Sequence, residues 1–434
     1  MKPVSAHPSP GFGGTATVPG DKSISHRALI LGGLADGTTR IKGLLTSEDV
    51  MATAAAVEAF GATIERGEDY WSVTGAEWQS PGTEIDCGNS GTSARLLMGA
   101  AAGFDGLRAT FKGDASLSKR PMERVIRPLT RMGAKFEGGD TLPVTLHGAQ
   151  LGGIDHESAV ASAQVKTAIL LAGLRTKSPV QVIEPHPSRD HSEVMLAMFG
   201  VEGDAEQLEA GWAVSLGKQR QLTATDIVVP ADPSSAAFLW AAAAIIDGAS
   251  VTTPGVCINA TRTGFIEALE RMGAGITLDN ERIQSGEPVA DITVTQAPLQ
   301  PIHVTPEQVP ATIDELPLLA CVAAFAEGES HFEGIGELRV KESDRLGAVA
   351  AGLAANGVSC FPEKDALRVL GKGEVRGGGT VMVHHDHRIA MAFLTLGLGA
   401  QNPVRIDDMS PIATSFPDYI SLMQSLGARL EQGV

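Results

Sequence analysis

Six times along this chain a hydrophobic stretch of helical period ends in glycine, a small residue follows, and a strand-like run begins. The copies are Phe60-Gly61-Ala62, Met132-Gly133-Ala134, Phe199-Gly200-Val201, Met272-Gly273-Ala274, Asn356-Gly357-Val358 and Leu426-Gly427-Ala428. Glycine just past a helix accepts the left-handed conformation that ends it, so each copy marks a helix C-terminus. Their spacing of roughly 70 residues is too long for a solenoid unit and suits a βαβαββ unit. A chain of 434 residues holding six such units has room for two or three domains, each with its own core. Small residues dominate those cores: Gly occurs 50 times and only 4% of residues are aromatic, so helices and strands are expected to approach closely.

Each unit also carries a second, nearly all-apolar helix whose opening residues are polar. These starts are Lys22-Ser23-Ile24-Ser25-His26-Arg27, Asn89-Ser90-Gly91-Thr92-Ser93-Ala94-Arg95, Ser162-Ala163-Gln164-Val165-Lys166, Asp232-Pro233-Ser234-Ser235, Asp314-Glu315-Leu316-Pro317 and Asp386-His387-Arg388. A helix that is apolar all round belongs inside a domain, and its polar start must then reach a surface or a cleft. The first helix set repeats the habit, with starts expected at Ser118-Lys119-Arg120-Pro121, Ser188-Arg189-Asp190-His191, Asn259-Ala260-Thr261-Arg262 and Lys341-Glu342-Ser343-Asp344-Arg345. Reactive residue types thus share one address, the helix N-terminus, where free N–H groups and the positive dipole end favour anions. Arginine adds bidentate recognition of phosphate or carboxylate. Any single copy is explained as a capped helix with solvated charges. Recurrence in all six units points instead to a cleft for a substrate bearing several negative charges.

The formal net charge of −17 argues against nucleic acid or an anionic membrane as a partner, yet leaves room for a local basic cleft. Cys87, Cys257, Cys321 and Cys360 are scattered without CxxC spacing, which fits a reducing cytoplasm. Met1–Pro10 holds no apolar run of the signal-peptide kind, and the apolar segments 236–246 and 316–326 are too short to span a bilayer. Similar proline-marked junctions stand at Val18-Pro19-Gly20-Asp21 and Val228-Val229-Pro230-Ala231-Asp232-Pro233. Read as the two crossings between domains, they give one domain of residues 19–230 and another combining 1–18 with 231–434, three units in each.

Gly20-Asp21-Lys22-Ser23 with Arg27, Gly88-Asn89-Ser90-Gly91-Thr92, Lys119-Arg120-Pro121-Met122, Arg339-Val340-Lys341-Glu342-Ser343-Asp344-Arg345 and Asp386-His387-Arg388-Ile389-Ala390-Met391 resemble the motifs of the EPSP synthase family. The match keeps its order from about Ala16 to the C-terminus. The resemblance implies an α/β fold: a two-domain inside-out α/β barrel of six βαβαββ repeats, with the active site in the interdomain cleft. It implies a monomeric, cytoplasmic transferase of the shikimate pathway that joins the enolpyruvyl group of phosphoenolpyruvate to shikimate 3-phosphate, with no metal and no organic cofactor. It also implies that glyphosate binds where phosphoenolpyruvate does.

Carried over residue by residue, the resemblance assigns shikimate 3-phosphate to Lys22, Ser23, Arg27, Ser162, Ala163, Gln164, Arg189, Asp314 and Lys341. It assigns phosphoenolpyruvate to Lys22, Gly91, Thr92, Arg120, Gln164, Glu342, Arg345 and Arg388. Two departures stand out: Thr414 occupies the place of a C-terminal lysine seen in many members, and Glu337 that of an asparagine. Stretches such as Arg189-Asp190-His191-Ser192-Glu193 resemble the glyphosate-tolerant branch, whereas Gly91 is what sensitive members carry.

The reaction so implied adds a proton to the methylene carbon of the donor and removes one from the 5-hydroxyl of the acceptor, which calls for acids and bases of tuned pKa. By the resemblance Asp314 is the base at the hydroxyl, and Glu342 and Lys22 are the candidates at the enolpyruvyl carbon. Lys341, Arg345 and Lys22 are expected to hold Glu342 largely ionised before substrate arrives. On spacing alone Asp314 is equally a helix N-cap, and Glu315 is as plausible a base or cap. Two tempting motifs fail. Asp21 breaks the Gly-Lys-Ser ending of a P-loop. In His384-His385-Asp386-His387, alternate residues of an extended segment would face opposite ways, which favours a capping cluster over a zinc site.

Two other functions compete. A UDP-N-acetylglucosamine enolpyruvyl transferase would share fold and donor, but that family usually pairs its lysine with asparagine where Ser23 follows Lys22, and its mobile loop carries a cysteine that Asp114–Arg120 lacks. A noncatalytic sugar-phosphate scaffold would use polar helix starts, but would not need Lys22, Asp314 and Glu342 as an acid–base set.

Overall fold

The computed structural model describes residues 2–433. The chain forms two compact units: a first of Gly20–Val229 with Gln284–Glu287, and a second of Met1–Pro19, Pro230–Ile283 and Pro288–Val434. The first unit carries α1 (Lys22–Leu34), α2 (Glu48–Ala59), α3 (Gly91–Ala102), α4 (Glu123–Met132), α5 (Ala163–Gly173) and α6 (His191–Met198). The second carries α7 (Pro233–Ile245), α8 (Gly264–Arg271), the single turn α9 (Val309–Thr312), α10 (Leu316–Ala323), α11 (Arg345–Ala355), α12 (His387–Gly399) and α13 (Tyr419–Ser425).

Six four-stranded sheets repeat one plan. In one, Ile85–Asp86 pairs in parallel with Arg108–Lys112, and Val144–His147 then joins Arg108–Lys112 to Lys135–Gly138, antiparallel to both. A parallel pair needs a crossover, which α3 supplies, whereas the antiparallel pair turns back directly. The βαβαββ units expected from the repeat are therefore present, with edge strands borrowed along the chain. Ile227–Val228, at the end of the first unit, supplies the parallel edge beside Thr38–Lys42. In the second unit Gly13–Thr15 lies parallel to Ser250–Cys257, and Val4–His7 inserts between Val404–Ile406 and Arg429–Gln432. The N-terminal segment thus closes two sheets of the second unit.

Helices form the interior of each unit. α3 packs on α1 and α5 in the first, and α7, α10 and α12 pack on one another in the second. α7 is buried from Pro233 through Ala244, as its all-apolar run requires. α3 and α5 approach so closely that a Cβ added at Gly99 would lie 2.3 Å from the Ala168 carbonyl oxygen. The six helix-ending glycines all take positive φ, from 81° at Gly357 to 122° at Gly133, so a side chain at any of them would strain the backbone.

Candidate functional site

Capping fixes where the apolar helices begin. Asp21 accepts from the Ile24 N–H (2.9 Å), Ser90 from Ser93 (3.0 Å), Asp232 from Ser234 (2.9 Å) and Asp386 from Arg388 (2.9 Å), each supplying an acceptor to an otherwise orphaned donor. Ser162 caps α5 with a longer bond from Val165, 3.5 Å. α10 is the exception: its N-cap position is Glu315, which makes no side-chain cap bond. Asp314, one residue earlier, instead faces the cations Lys341 and Arg345.

The helices of the first set start later than the polar segments suggest. Arg120 is extended, as a residue preceding proline should be, and α4 opens only at Glu123. α6 opens at His191 and α8 at Gly264, while Arg345 is the first residue of α11. Arg120, Arg189 and Lys341 therefore stand on the connections leading into helices.

In the first unit, Lys22 pairs with Asp49, and both side chains are largely buried. Ser23, half-buried on the first turn of α1, accepts through its carbonyl from Arg27 Nη1 at 3.0 Å. Arg27 is buried and also donates through Nε to Ser192 Oγ (2.7 Å) and through Nη2 to Thr167 Oγ1 (2.8 Å). Burial lowers the pKa of Arg27 to about 10; Glu193 and Asp21 counter part of the shift, and the nearby charge of Arg189 adds to it. Arg189 itself is half-buried and follows the buried Ser188.

Gly91, Thr92, Gln164 and Arg120 come together around a residue to which sequence reasoning gave no role. Arg95 donates through Nη1 to Gln164 Oε1 (2.6 Å) and through Nη2 to the Pro121 carbonyl (3.1 Å), and Gln164 Nε2 donates to Thr92 Oγ1 (2.9 Å). Arg120 Nη2 donates to Asn89 Oδ1 at 2.7 Å. A Cβ on Gly91 would stand 2.9 Å from Arg95 Nη1 and 3.4 Å from Arg120 Nη1. Helical spacing was the available signal, since Arg95 lies four residues after Gly91 on one face of α3. Ala163, the first residue of α5, stands between Ser162 and Gln164.

In the second unit three carboxylates surround the buried guanidinium of Arg345. Its Nε donates to Asp386 Oδ2 (2.9 Å), Nη1 reaches Asp314 Oδ1 (3.4 Å), and Nη2 pairs with Glu342. Burial opposes its charge, but Asp386, Glu342 and Asp314 outweigh burial and raise its pKa above the ordinary value. Asp386 also accepts from Ser343 Oγ (2.9 Å), so one carboxylate joins the cap of α12 to the connection before α11. Arg388 Nη1 donates to Glu315 Oε1 (3.0 Å), which Ser234 Oγ also contacts. Of the three cations expected beside Glu342, Arg345 is paired with it; Lys341 Nζ lies 3.5 Å from Asp314, and Lys22, in the other unit, pairs with Asp49.

The histidine-rich segment departs from expectation in its backbone. His384 and His385 take φ of 51° and 59°, a left-handed turn rather than an extended run, which buries Asp386 for its capping role. Among the described residues no group of three or more His, Cys, Asp or Glu is placed to hold a metal ion. Thr414 donates to the Pro411 carbonyl (2.7 Å) and lies 3.3 Å from His387 Nδ1. Glu337 sits on the 3-10 turn Gly336–Val340. No helix of the described residues is long and apolar enough to cross a membrane.

Against known proteins, the family described as EPSP synthase (3-phosphoshikimate 1-carboxyvinyltransferase) matches residues 8–423. A 3-phosphoshikimate 1-carboxyvinyltransferase of Caulobacter vibrioides is 50% identical over 434 residues, covering 98% of each chain. A solved EPSP synthase structure from Acinetobacter baumannii superposes with a TM-score of 0.87 at 43% identity, over 100% of both chains. An enolpyruvyl transferase from Streptomyces tendae, at 18% identity and a TM-score of 0.78 over 100% of this chain and 99% of its own, shares the fold.

Proposed function

The chain belongs to the EPSP synthase family, and on that premise we propose that it transfers the enolpyruvyl group of phosphoenolpyruvate to the 5-hydroxyl of shikimate 3-phosphate, releasing phosphate. The observation that carries the assignment of roles is the convergence of Asp314 and Glu342 on Arg345. Two carboxylates held by one buried cation, with Lys341 beside the first, provide two proton-handling groups in one place.

In this reading Asp314 takes the proton of the 5-hydroxyl as its oxygen bonds to C2 of the enolpyruvyl group. Glu342 or Lys22 delivers a proton to the methylene carbon, giving a tetrahedral adduct. Loss of a proton from the new methyl group and departure of phosphate then restore the double bond as an enol ether. Lys22, Arg120, Arg345 and Arg388 supply the cations that a donor with both carboxylate and phosphate needs. Ser23, Arg27, Ser162, Ala163, Gln164, Arg189 and Lys341 hold the acceptor, and Gly91, Thr92 and Gln164 frame the donor. Phosphate release measured with phosphoenolpyruvate and either shikimate 3-phosphate or UDP-N-acetylglucosamine tests the reading. Release is expected with the first acceptor; release with the second alone would replace the assignment.

We further propose reduced sensitivity to glyphosate, supported by the likeness of Arg189-Asp190-His191-Ser192-Glu193 and neighbouring stretches to the tolerant branch. Gly91 works against it, because the space a methyl group would take is left to the inhibitor. A Gly91→Ala side chain would press on the guanidinium groups of Arg95 and Arg120. The glyphosate inhibition constant should rise at least tenfold in that variant, about 1.4 kcal/mol, with a smaller change in donor KM. Strong inhibition of the parent enzyme at micromolar glyphosate would remove the tolerance.

A further inference from the structure

Behind the start of α5 lies a buried ion cluster that the reaction does not use. Lys166 and Glu184 each have side chains 1% exposed, and their charged atoms are 3.3 Å apart. Lys166 Nζ also lies 2.7 Å from Glu193 Oε1 on α6 and donates to the Ser188 carbonyl at 3.3 Å, so the ammonium faces two carboxylates and one carbonyl. Glu184 ends the strand Val180–Glu184. Its Oε1 accepts the backbone N–H of Ser162 (2.7 Å) and its Oε2 the hydroxyl of Ser188 (2.7 Å).

A buried ion pair is weak grounds for stability, because desolvating two charges offsets much of their attraction. What this pair does can be read from its other bonds. Ser162 opens the Ser162-Ala163-Gln164 segment, and Ser188 directly precedes Arg189. One carboxylate therefore fixes the amide of the first segment and the hydroxyl leading into the second, while the ammonium holds the carbonyl of Ser188 and the first turn of α6. Burial also pushes the Glu193 carboxyl above its ordinary range, against the pull of Lys166.

We propose that Glu184 and Lys166 are positioning residues for acceptor binding: they set the spacing between Ser162 and Arg189 that receives the phosphorylated cyclitol. This rests on the reading that Ser162 and Arg189 contact shikimate 3-phosphate. A merely structural cluster would, on disruption, lower stability and disturb both substrates alike. A positioning cluster acts on one substrate.

The test uses the full-length enzyme with Glu184→Gln, which keeps the shape but loses the charge that meets Lys166, and with Ser188→Ala, which removes a single hydroxyl from the same carboxylate. In Glu184→Gln the KM for shikimate 3-phosphate should rise at least tenfold. The KM for phosphoenolpyruvate and kcat at saturating acceptor should stay within about threefold. Ser188→Ala should move the acceptor KM in the same direction by a few-fold, and it decides the matter if Glu184→Gln fails to fold. Arg189→Ala and Ser162→Ala, run in parallel, test the underlying reading. If they raise the acceptor KM while Glu184→Gln and Ser188→Ala leave it within twofold, the positioning role is overturned and the reading stands. Equal rises in both KM values also overturn the positioning role. If Arg189→Ala and Ser162→Ala leave the acceptor untouched, the reading itself fails.

Discussion

Arg27 in the first unit and Arg345 in the second are both buried, 4% and 1% exposed, yet their charges are held in opposite ways. The donors of Arg27 go to two hydroxyls and a backbone carbonyl, and burial lowers its pKa to about 10. Arg345 meets Asp386, Glu342 and Asp314, which raise its pKa despite burial. Neutral oxygens orient a guanidinium without cancelling its field, and in the proposed reading the first arrangement leaves positive potential for an arriving anion, offset only in part by Glu193 and Asp21. Carboxylates cancel the field and are themselves organised by it, so the second arrangement makes an ordered set of acids. In the proposed reading, the same side chain serves anion binding in one unit and acid–base placement in the other.

The largest expected effect comes from breaking the second arrangement. Asp386→Ala removes the carboxylate that Arg345, Ser343 and the α12 cap share. Stripping one partner from a buried ion cluster costs about 3–5 kcal/mol, which should show as a large fall in the urea midpoint. Ser192→Ala removes one neutral acceptor from Arg27. A hydrogen bond to a charged group is worth about 1.5–3 kcal/mol, so its midpoint should fall by less, accompanied by a rise in the KM for shikimate 3-phosphate. If Ser192→Ala destabilises as much as Asp386→Ala, the contrast between the two arginines is wrong. A midpoint unchanged in Asp386→Ala would break it from the other side.

What the sequence reveals and what it hides divide along the same physical line. Addresses were legible: glycine at helix ends, Ser or Asp at helix starts and apolar runs inside all follow from local rules, and the glycines do take positive φ. Partners were not. Arg95 finds Gln164 across 69 positions, and Arg345 finds Asp386 across 41; no periodicity encodes such pairings. Backbone sign was also hidden where no glycine announces it, so the left-handed turn at His384 and His385 read as extended. Edge strands as short as Ile227–Val228 carry too little pattern to be seen before their neighbours are placed.

The smallest predicted effect sharpens the comparison through a histidine. His26 is fully buried on α1, one residue before Arg27, and its Nδ1 lies 2.7 Å from Thr53 Oγ1. Its Nε2 has no hydrogen-bond partner among the described residues. A neutral ring tolerates that, because the bare nitrogen carries only a lone pair; a protonated ring would bury an unsatisfied charged N–H. Burial chiefly, then the charges of Lys22 and Arg27, lower its pKa well below the ordinary value, with Asp21 opposing. The unfolded chain therefore binds a proton below about pH 6.5 that the folded chain refuses. More protons on the unfolded state means stability that is present above that pH and is lost as pH falls through it. The slope attributable to one group reaches about 1.4 kcal/mol per pH unit. His156, half-buried and lowered as well, contributes in the same direction, so the informative quantity is the difference between the parent and His26→Gln. Urea midpoints measured from pH 7 to pH 5 should fall more steeply in the parent. Parallel profiles would mean that His26 takes up a proton in the folded enzyme as readily as in the unfolded chain, so that neither burial nor the charges of Lys22 and Arg27 keep it neutral.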